Sequence, residues 1–206
     1  MKHAVKGFKN LKIGLKELEP FIRDGHHLQT GRAFPSVQLR SREMLANWLL
    51  CVAVNSVTEP DRLAFTSSPE DVGGDGVIVD TRTDETWVTE HIMVPNVQKA
   101  DGLDTAGRIL AAVEKKRSKG DAAYATGKTL VVFVNREGGE WYPTKIARCL
   151  RQPLLFDAAW VVSLEGVLAG EYVYNVTRLD VSKGQAPAWR VCLAKDFDDW
   201  SVEVVQ

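Results

Sequence analysis

Two carboxylates stand out as the residues best placed to do chemistry. Asp75 directly precedes the apolar run Val77 to Val79, and Glu90 sits within Thr86-Trp87-Val88-Thr89-Glu90-His91-Ile92-Met93-Val94. Between the two runs, Thr81, Arg82, Thr83, Asp84 and Glu85 supply turn chemistry. Two short strand-like runs joined by a polar connection predict a β-hairpin. A period of two puts Val88, Glu90, Ile92 and Val94 on one face of the second strand. A carboxylate flanked by apolar residues of its own face is costly to bury unless a cation or strong donors meet it. Asp75 at the start of one strand and Glu90 on the other place two acids at one end of the hairpin. Such hard oxygen donors suit a divalent cation that keeps part of its water shell.

The elements that must position this pair follow from the pattern on either side. Ser41 to Asn55 reads as a helix capped by Ser41, with Met44, Leu45, Trp48, Leu49 and Val52 on a wide apolar face. Glu43, in its first turn, either complements the helix dipole or leans toward the acidic pair as a third acid. Arg62 to Thr66 predicts a short strand ahead of the hairpin. A second helix is expected over Asp104 to Ser118, with Leu103, Ile109, Leu110 and Val113 inward and Lys115, Lys116, Arg117 and Lys119 crowding its end. Thr129 to Asn135 is a continuous apolar run, the mark of a buried central strand. Further strands are expected at Ala158 to Leu164, Tyr172 to Thr177 and Trp189 to Leu193, with a helix around Ile146 to Leu150. Near the N-terminus, Phe8, Leu11, Leu15, Leu18 and Ile22 recur at helical spacing. The expected fold is therefore α/β with a mixed central sheet.

The order helix, three strands, helix, strand, with one acid opening the second strand and another in the third, resembles the core of the restriction-endonuclease-like, or PD-(D/E)XK, nuclease superfamily. The resemblance covers about residues 40 to 135. It implies an αβββαβ core with additional C-terminal strands, in which Asp75 is the first acid, Glu90 the second and Glu43 the helical one. Asp71 and Asp80 are rival candidates for the first acid. It further implies that Asp75, Glu90 and Glu43 hold Mg2+ or Mn2+, and that the chain hydrolyses phosphodiester bonds in DNA or RNA. The family's lysine, two residues after the second acid, is replaced by Ile92. His91 points to the opposite face of an ideal strand and is no substitute. Some members of the superfamily supply the amine from the following helix. Lys116 lies seven residues after Ile109 and three after Val113, so it extends the inward stripe of that helix. Lys116, or after it Lys119, then becomes the catalytic amine. The same departure leaves a second expectation open: a catalytically inactive member of the fold that binds nucleic acid or a protein, such as an immunity or assembly factor.

The rest of the sequence bounds these readings. The 206 residues suit a single domain, divided into a basic N-terminal extension (1–39), the nuclease-like core (40–135) and additional strands packing on it (136–206). Hydrophobic residues make up 45% and charged residues 26%, ordinary for a globular chain, and the formal net charge of −1 gives no global positive field to draw nucleic acid. A local basic face remains possible from the lysines and arginines before Met44. No apolar run is long enough to cross a membrane and no secretory leader pattern is present, so no membrane partner is expected. Cys51, Cys149 and Cys192, an odd and widely spaced set, read as small core residues in a reducing cytoplasm. Thr126-Gly127-Lys128-Thr129 ends like a phosphate-binding loop, but position 122 is Ala122 and the segment leads into a strand, so it fails that motif's context. Gly73-Gly74-Asp75-Gly76 reads instead as a loop that lets the backbone approach the acids closely. His26 and His27 fall in a loop with no further ligands nearby, and most of the six tryptophans are expected in the core.

Overall fold

A computed structural model of the chain describes residues 8–25, 41–66, 74–94, 102–120, 122–134 and 140–206. Among these residues there are nine strands: β1 (Phe8–Lys9), β2 (Leu63–Thr66), β3 (Gly76–Asp80), β4 (Thr86–Val94), β5 (Lys128–Val134), β6 (Ala158–Leu168), β7 (Glu171–Leu179), β8 (Ala188–Leu193) and β9 (Trp200–Val204). Five helices accompany them: α1 (Leu11–Arg23), α2 (Ser41–Val57), α3 (Thr105–Arg117), α4 (Ala122–Ala125) and α5 (Pro143–Cys149). His26, His27, Asp71, Gly73 and the basic residues Lys2, Lys6, Arg32 and Arg40 lie outside the described residues.

The strands form one mixed sheet whose order is the order of the chain, β1 through β9. β4, β5 and β6 run parallel to one another, while every other neighbouring pair is antiparallel. Parallel neighbours need a crossover, and the chain supplies α3 and α4 between β4 and β5 and α5 between β5 and β6. The fold is thus α/β, with helices on both faces of a mixed sheet.

Alternation along the strands divides the apolar residues into two cores. Ile78, Val131, Phe133, Trp160 and Val162 pack with α1 and α2 on one face. Leu130, Val132, Val134, Ala159 and Val161 pack with α3 and α5 on the other. α2 is buried continuously from Ser41 to Ala53, as expected of a helix surrounded by protein rather than laid on a surface. It touches β2, β3, β5, β7, β8 and β9, so the sheet curls around it. α1 closes one side of it: Trp48 Nε1 donates to the Leu11 carbonyl at 2.8 Å. Gly14 permits this approach, since a Cβ there would stand 3.1 Å from Phe65 Cζ.

Several expectations change at this level. Within the basic N-terminal segment, residues 11–23 dock on the core, with Leu15 and Leu18 fully buried. Phe8 belongs to β1, and the helix begins after it, where the Asn10 side chain accepts from the Lys12 and Ile13 amides. Ser41 is the first described residue of α2 and is buried. The additional C-terminal strands, β6 to β9, continue the same sheet outward from β5. Cys51 is buried, but Cys149 is exposed. Of the six tryptophans, Trp48, Trp160 and Trp189 are buried, and Trp87, Trp141 and Trp200 are partly buried against the two cores.

Candidate functional site

The predicted hairpin is present as β3 and β4, paired Gly76 with Thr89, Val77 with Val88 and Ile78 with Trp87. Carried one step beyond Gly76, this register sets Asp75 opposite Glu90. The Asp75 amide donates to the Thr89 carbonyl at 2.7 Å, and Asp75 Oδ2 accepts from the His91 amide at 2.7 Å. The glycines on either side allow this closeness. A Cβ on Gly74 would stand 2.8 Å from the Thr89 carbonyl oxygen, and one on Gly76 would stand 2.3 Å from Asn47 Nδ2.

Glu90 is 6% exposed and faces α3. Its Oε1 accepts from Lys116 Nζ, projected from the last turn of α3, and from the Tyr124 hydroxyl at 2.5 Å. Lys128 Nζ stands 4.0 Å from Glu90 Oε2 and 4.5 Å from the centre of the Tyr124 ring. Lys119 lies over the same ring at 5.2 Å. Burial, then the bond to Glu90 and the negative charges of Glu90 and Asp75, push the Tyr124 phenol well above its ordinary range. It therefore stays protonated as a donor.

Behind β4, on the α2 face, lies a second polar group. His91 Nε2 is 3.1 Å from Asn47 Oδ1. His91 Nδ1, Asn47 Nδ2 and Thr89 Oγ1 are buried without partners among the described residues. Burial, helped by the positive charges of Arg42 and Lys116, pushes the His91 imidazole down to about 3, so it is neutral at ordinary pH. Arg42 Nη1 reaches Met93 Sδ at 3.7 Å.

The sequence-predicted residues thus fall into two sets. Lys116 meets Glu90, and Asp75 lies opposite Glu90 in the hairpin register. Glu43 is buried at the start of α2, with Arg42 Nη2 4.0 Å from its Oε1, on the helix that covers the opposite face of the sheet from Glu90. Among the described residues no group of three His, Cys, Asp or Glu side chains is arranged to hold a metal ion. Asp80 is accounted for structurally: at the far end of β3 it pairs with Arg62 at 2.7 Å and accepts from the Arg82 amide at 3.0 Å. The Arg62 guanidinium holds its carboxyl below the usual range.

Tyr124 and Lys128 are partners that inspection of motifs does not single out. Lys128 was legible in principle: Lys128 and Leu130 pair with Val88 and Glu90, so a period of two puts Lys128 on the face of Glu90. Tyr124 depends on the short helix α4, whose four residues carry no periodic signal.

No family model, no curated protein and no solved structure matches the chain. Among the described residues no helix is long and apolar enough to cross a membrane.

Proposed function

We propose that this chain is a metal-dependent phosphodiester hydrolase of restriction-endonuclease-like type, acting on DNA or RNA. The observation that carries the reading is the meeting of Lys116 from α3 with Glu90 on β4, because Ile92 stands where that superfamily has its lysine. The order α2, β2, β3, β4, α3, β5 and the cross-strand placement of Asp75 and Glu90 support it.

Two carboxylates are a fitting donor set for Mg2+ or Mn2+, which binds through one or two such groups and keeps several waters. Glu90 Oε2 and Asp75 Oδ1 are the oxygens that carry no close hydrogen bond among the described residues. Such an ion would lower the pKa of a bound water and offset charge on the phosphate. Lys116 and Tyr124 fix one Glu90 oxygen and so set the orientation of the other. The Lys116 ammonium, together with Lys128, would offset phosphate charge and orient a water at the carboxylate pair.

The test is cleavage of plasmid DNA, single-stranded DNA and RNA with Mg2+, Mn2+ or a chelator. Metal-dependent cleavage that vanishes in Asp75→Ala, Glu90→Ala and Lys116→Ala is expected. Cleavage that persists in Asp75→Ala and Glu90→Ala would remove the proposal. A second reading is favoured by the fact that Glu90 already has a cationic partner: a non-catalytic member of the fold that binds nucleic acid or a protein. Salt-sensitive nucleic-acid binding without cleavage would select it.

A further inference from the structure

We infer that the face formed by α3 and α5 binds a single strand of DNA or RNA, held by its phosphates and led toward Glu90 and Lys116. The partner class rests on the reading proposed above, while the surface itself does not depend on cleavage.

Charge is unevenly placed along the chain. Between Thr105 and Arg151 there are ten lysines and arginines against four acids, in a chain whose net charge is −1. On α1, Lys16 is tied to Asp198 at 2.5 Å and Arg23 to Glu19 at 2.8 Å. The cations of α3, α5 and the residues just beyond them are disposed differently. Lys115, Lys119, Lys145, Arg148 and Arg151 are exposed. Among the described residues, Lys115, Lys119 and Lys145 take part in no ion pair.

The two helices join these cations into one surface. A groove of about 300 Å³ between them is lined by Leu110, Val113, Arg117, Leu150 and Arg151. The acid in that lining, Glu114, is already taken. Arg117 donates to both of its oxygens at 2.8 Å, and Arg151 stands 3.9 Å from one of them. Past the end of α3 the basic strip continues through Lys119, over the Tyr124 ring, to Lys128 beside Glu90. Fixed positive charge of this extent draws a polyanion and gains from the counterions it releases.

Tyr142 selects the form of that polyanion. It is 68% exposed at the start of α5, and Lys145 and Arg148 follow it at steps of three, so the ring and the two cations are neighbours on the helix surface. A positive groove with an aromatic platform suits a single strand, whose unpaired bases can lie on a ring. A duplex keeps its bases stacked and would use the cations alone. An acidic peptide would leave the ring without a planar partner. An anionic lipid surface is met by a helix with a whole apolar face, and α5 presents Lys145 and Arg148 beside its one exposed ring.

The experiment follows the anisotropy of short labelled oligo(dT), oligo(U) and a DNA duplex on titration with the full chain, at low and at physiological salt. A chelator is present, so binding is read without cleavage. Saturable, salt-sensitive binding is expected, tighter for the single strands than for the duplex. Lys119→Glu combined with Lys145→Glu should weaken both by about tenfold or more and lower the single-strand salt slope by about 1.4. Lys12→Glu combined with Lys195→Glu makes the same change in net charge elsewhere and should have no such effect. Tyr142→Ala should weaken the single strands by about fivefold or more and spare the duplex. All five positions are exposed, so these variants keep the fold. Equal effects of the two charge reversals, unchanged single-strand affinity in Tyr142→Ala, or no binding at low salt would overturn the inference. Tighter binding to anionic vesicles or to polyglutamate than to the oligonucleotides would overturn it as well. Absence of cleavage with Mg2+ removes the hydrolase reading and leaves this surface standing, whereas oligonucleotide binding untouched by the face variants removes the surface and leaves that reading.

Discussion

Replacing Lys116 with methionine keeps most of the buried stem and removes only the ammonium. The side chains of Lys116 and Glu90 are 13% and 8% exposed, so their pairing is largely screened from water. Removing one member of a buried pair leaves an uncompensated charge and costs about 3–5 kcal/mol. Tyr124 still donates to Glu90 and Lys128 remains 4.0 Å away, which places the cost near the lower end, about 3 kcal/mol. For a chain of this size that lowers Tm by about 6–12 °C. Glu90→Gln combined with Lys116→Met removes the orphaned charge as well, so the double variant should be more stable than Lys116→Met alone. If Asp75 and Glu90 hold a divalent ion, Mg2+ at ten times its Kd should return about 1.4 kcal/mol to Lys116→Met and nothing to the double variant. Urea unfolding followed by circular dichroism, with and without Mg2+, measures all of these. A cost below about 1 kcal/mol for Lys116→Met, or a double variant whose loss is the sum of the two single ones, would show that the pair is not coupled as described.

Two further outcomes follow from neighbouring residues. The His91 imidazole is held down to about 3 in the folded chain, from an ordinary 6.5, so the unfolded chain takes up that proton first as pH falls. Its contribution is nil above pH 6.5 and erodes stability between 6.5 and 3. The loss is about 1.4 kcal/mol per pH unit, or about 2 kcal/mol by pH 5; His91→Gln should flatten the unfolding free energy across that window. Asn55 donates to the Leu63 carbonyl at 3.0 Å and accepts from the Leu63 amide at 2.7 Å. Asn55→Ala should therefore cost about 1–3 kcal/mol by leaving backbone groups at the start of β2 unpaired, readable as a lower urea midpoint with an unchanged slope.

What could be read in advance was local. The hairpin, the shared face of Val88, Glu90, Ile92 and Val94, and the stripe that carries Lys116 inward all follow from periods of two and of 3.6 within one element. Glu90 and Lys116 meet because two such faces oppose each other, which is why their contact could be anticipated. The position of Glu43 is another matter. It depends on which face of the sheet α2 covers, and that is settled by strands from β2 to β9 wrapping the helix, contacts far apart in the chain. The same holds for the full burial of α2: the sequence shows one wide apolar face, while Asn47 and Asn55 are enclosed by partners supplied by β4 and β2. β9 was hidden for a simpler reason. Its residues Trp200–Val204 alternate, but they follow Asp196, Asp198 and Asp199, a charged run that by itself is the pattern of solvated surface.

Because each strand lies beside the one made just before it, the sheet can be built in the order of translation. Every strand that emerges finds a waiting edge, with α1 and α2 coming before β2 and helices crossing over on the way into β5 and β6. The growing border moves outward to β9, and behind it Arg190 of β8 joins Glu203 of β9 at 3.4 Å to Glu165 of β6 at 3.0 Å, so one guanidinium cross-links strands laid down early and late across the sheet.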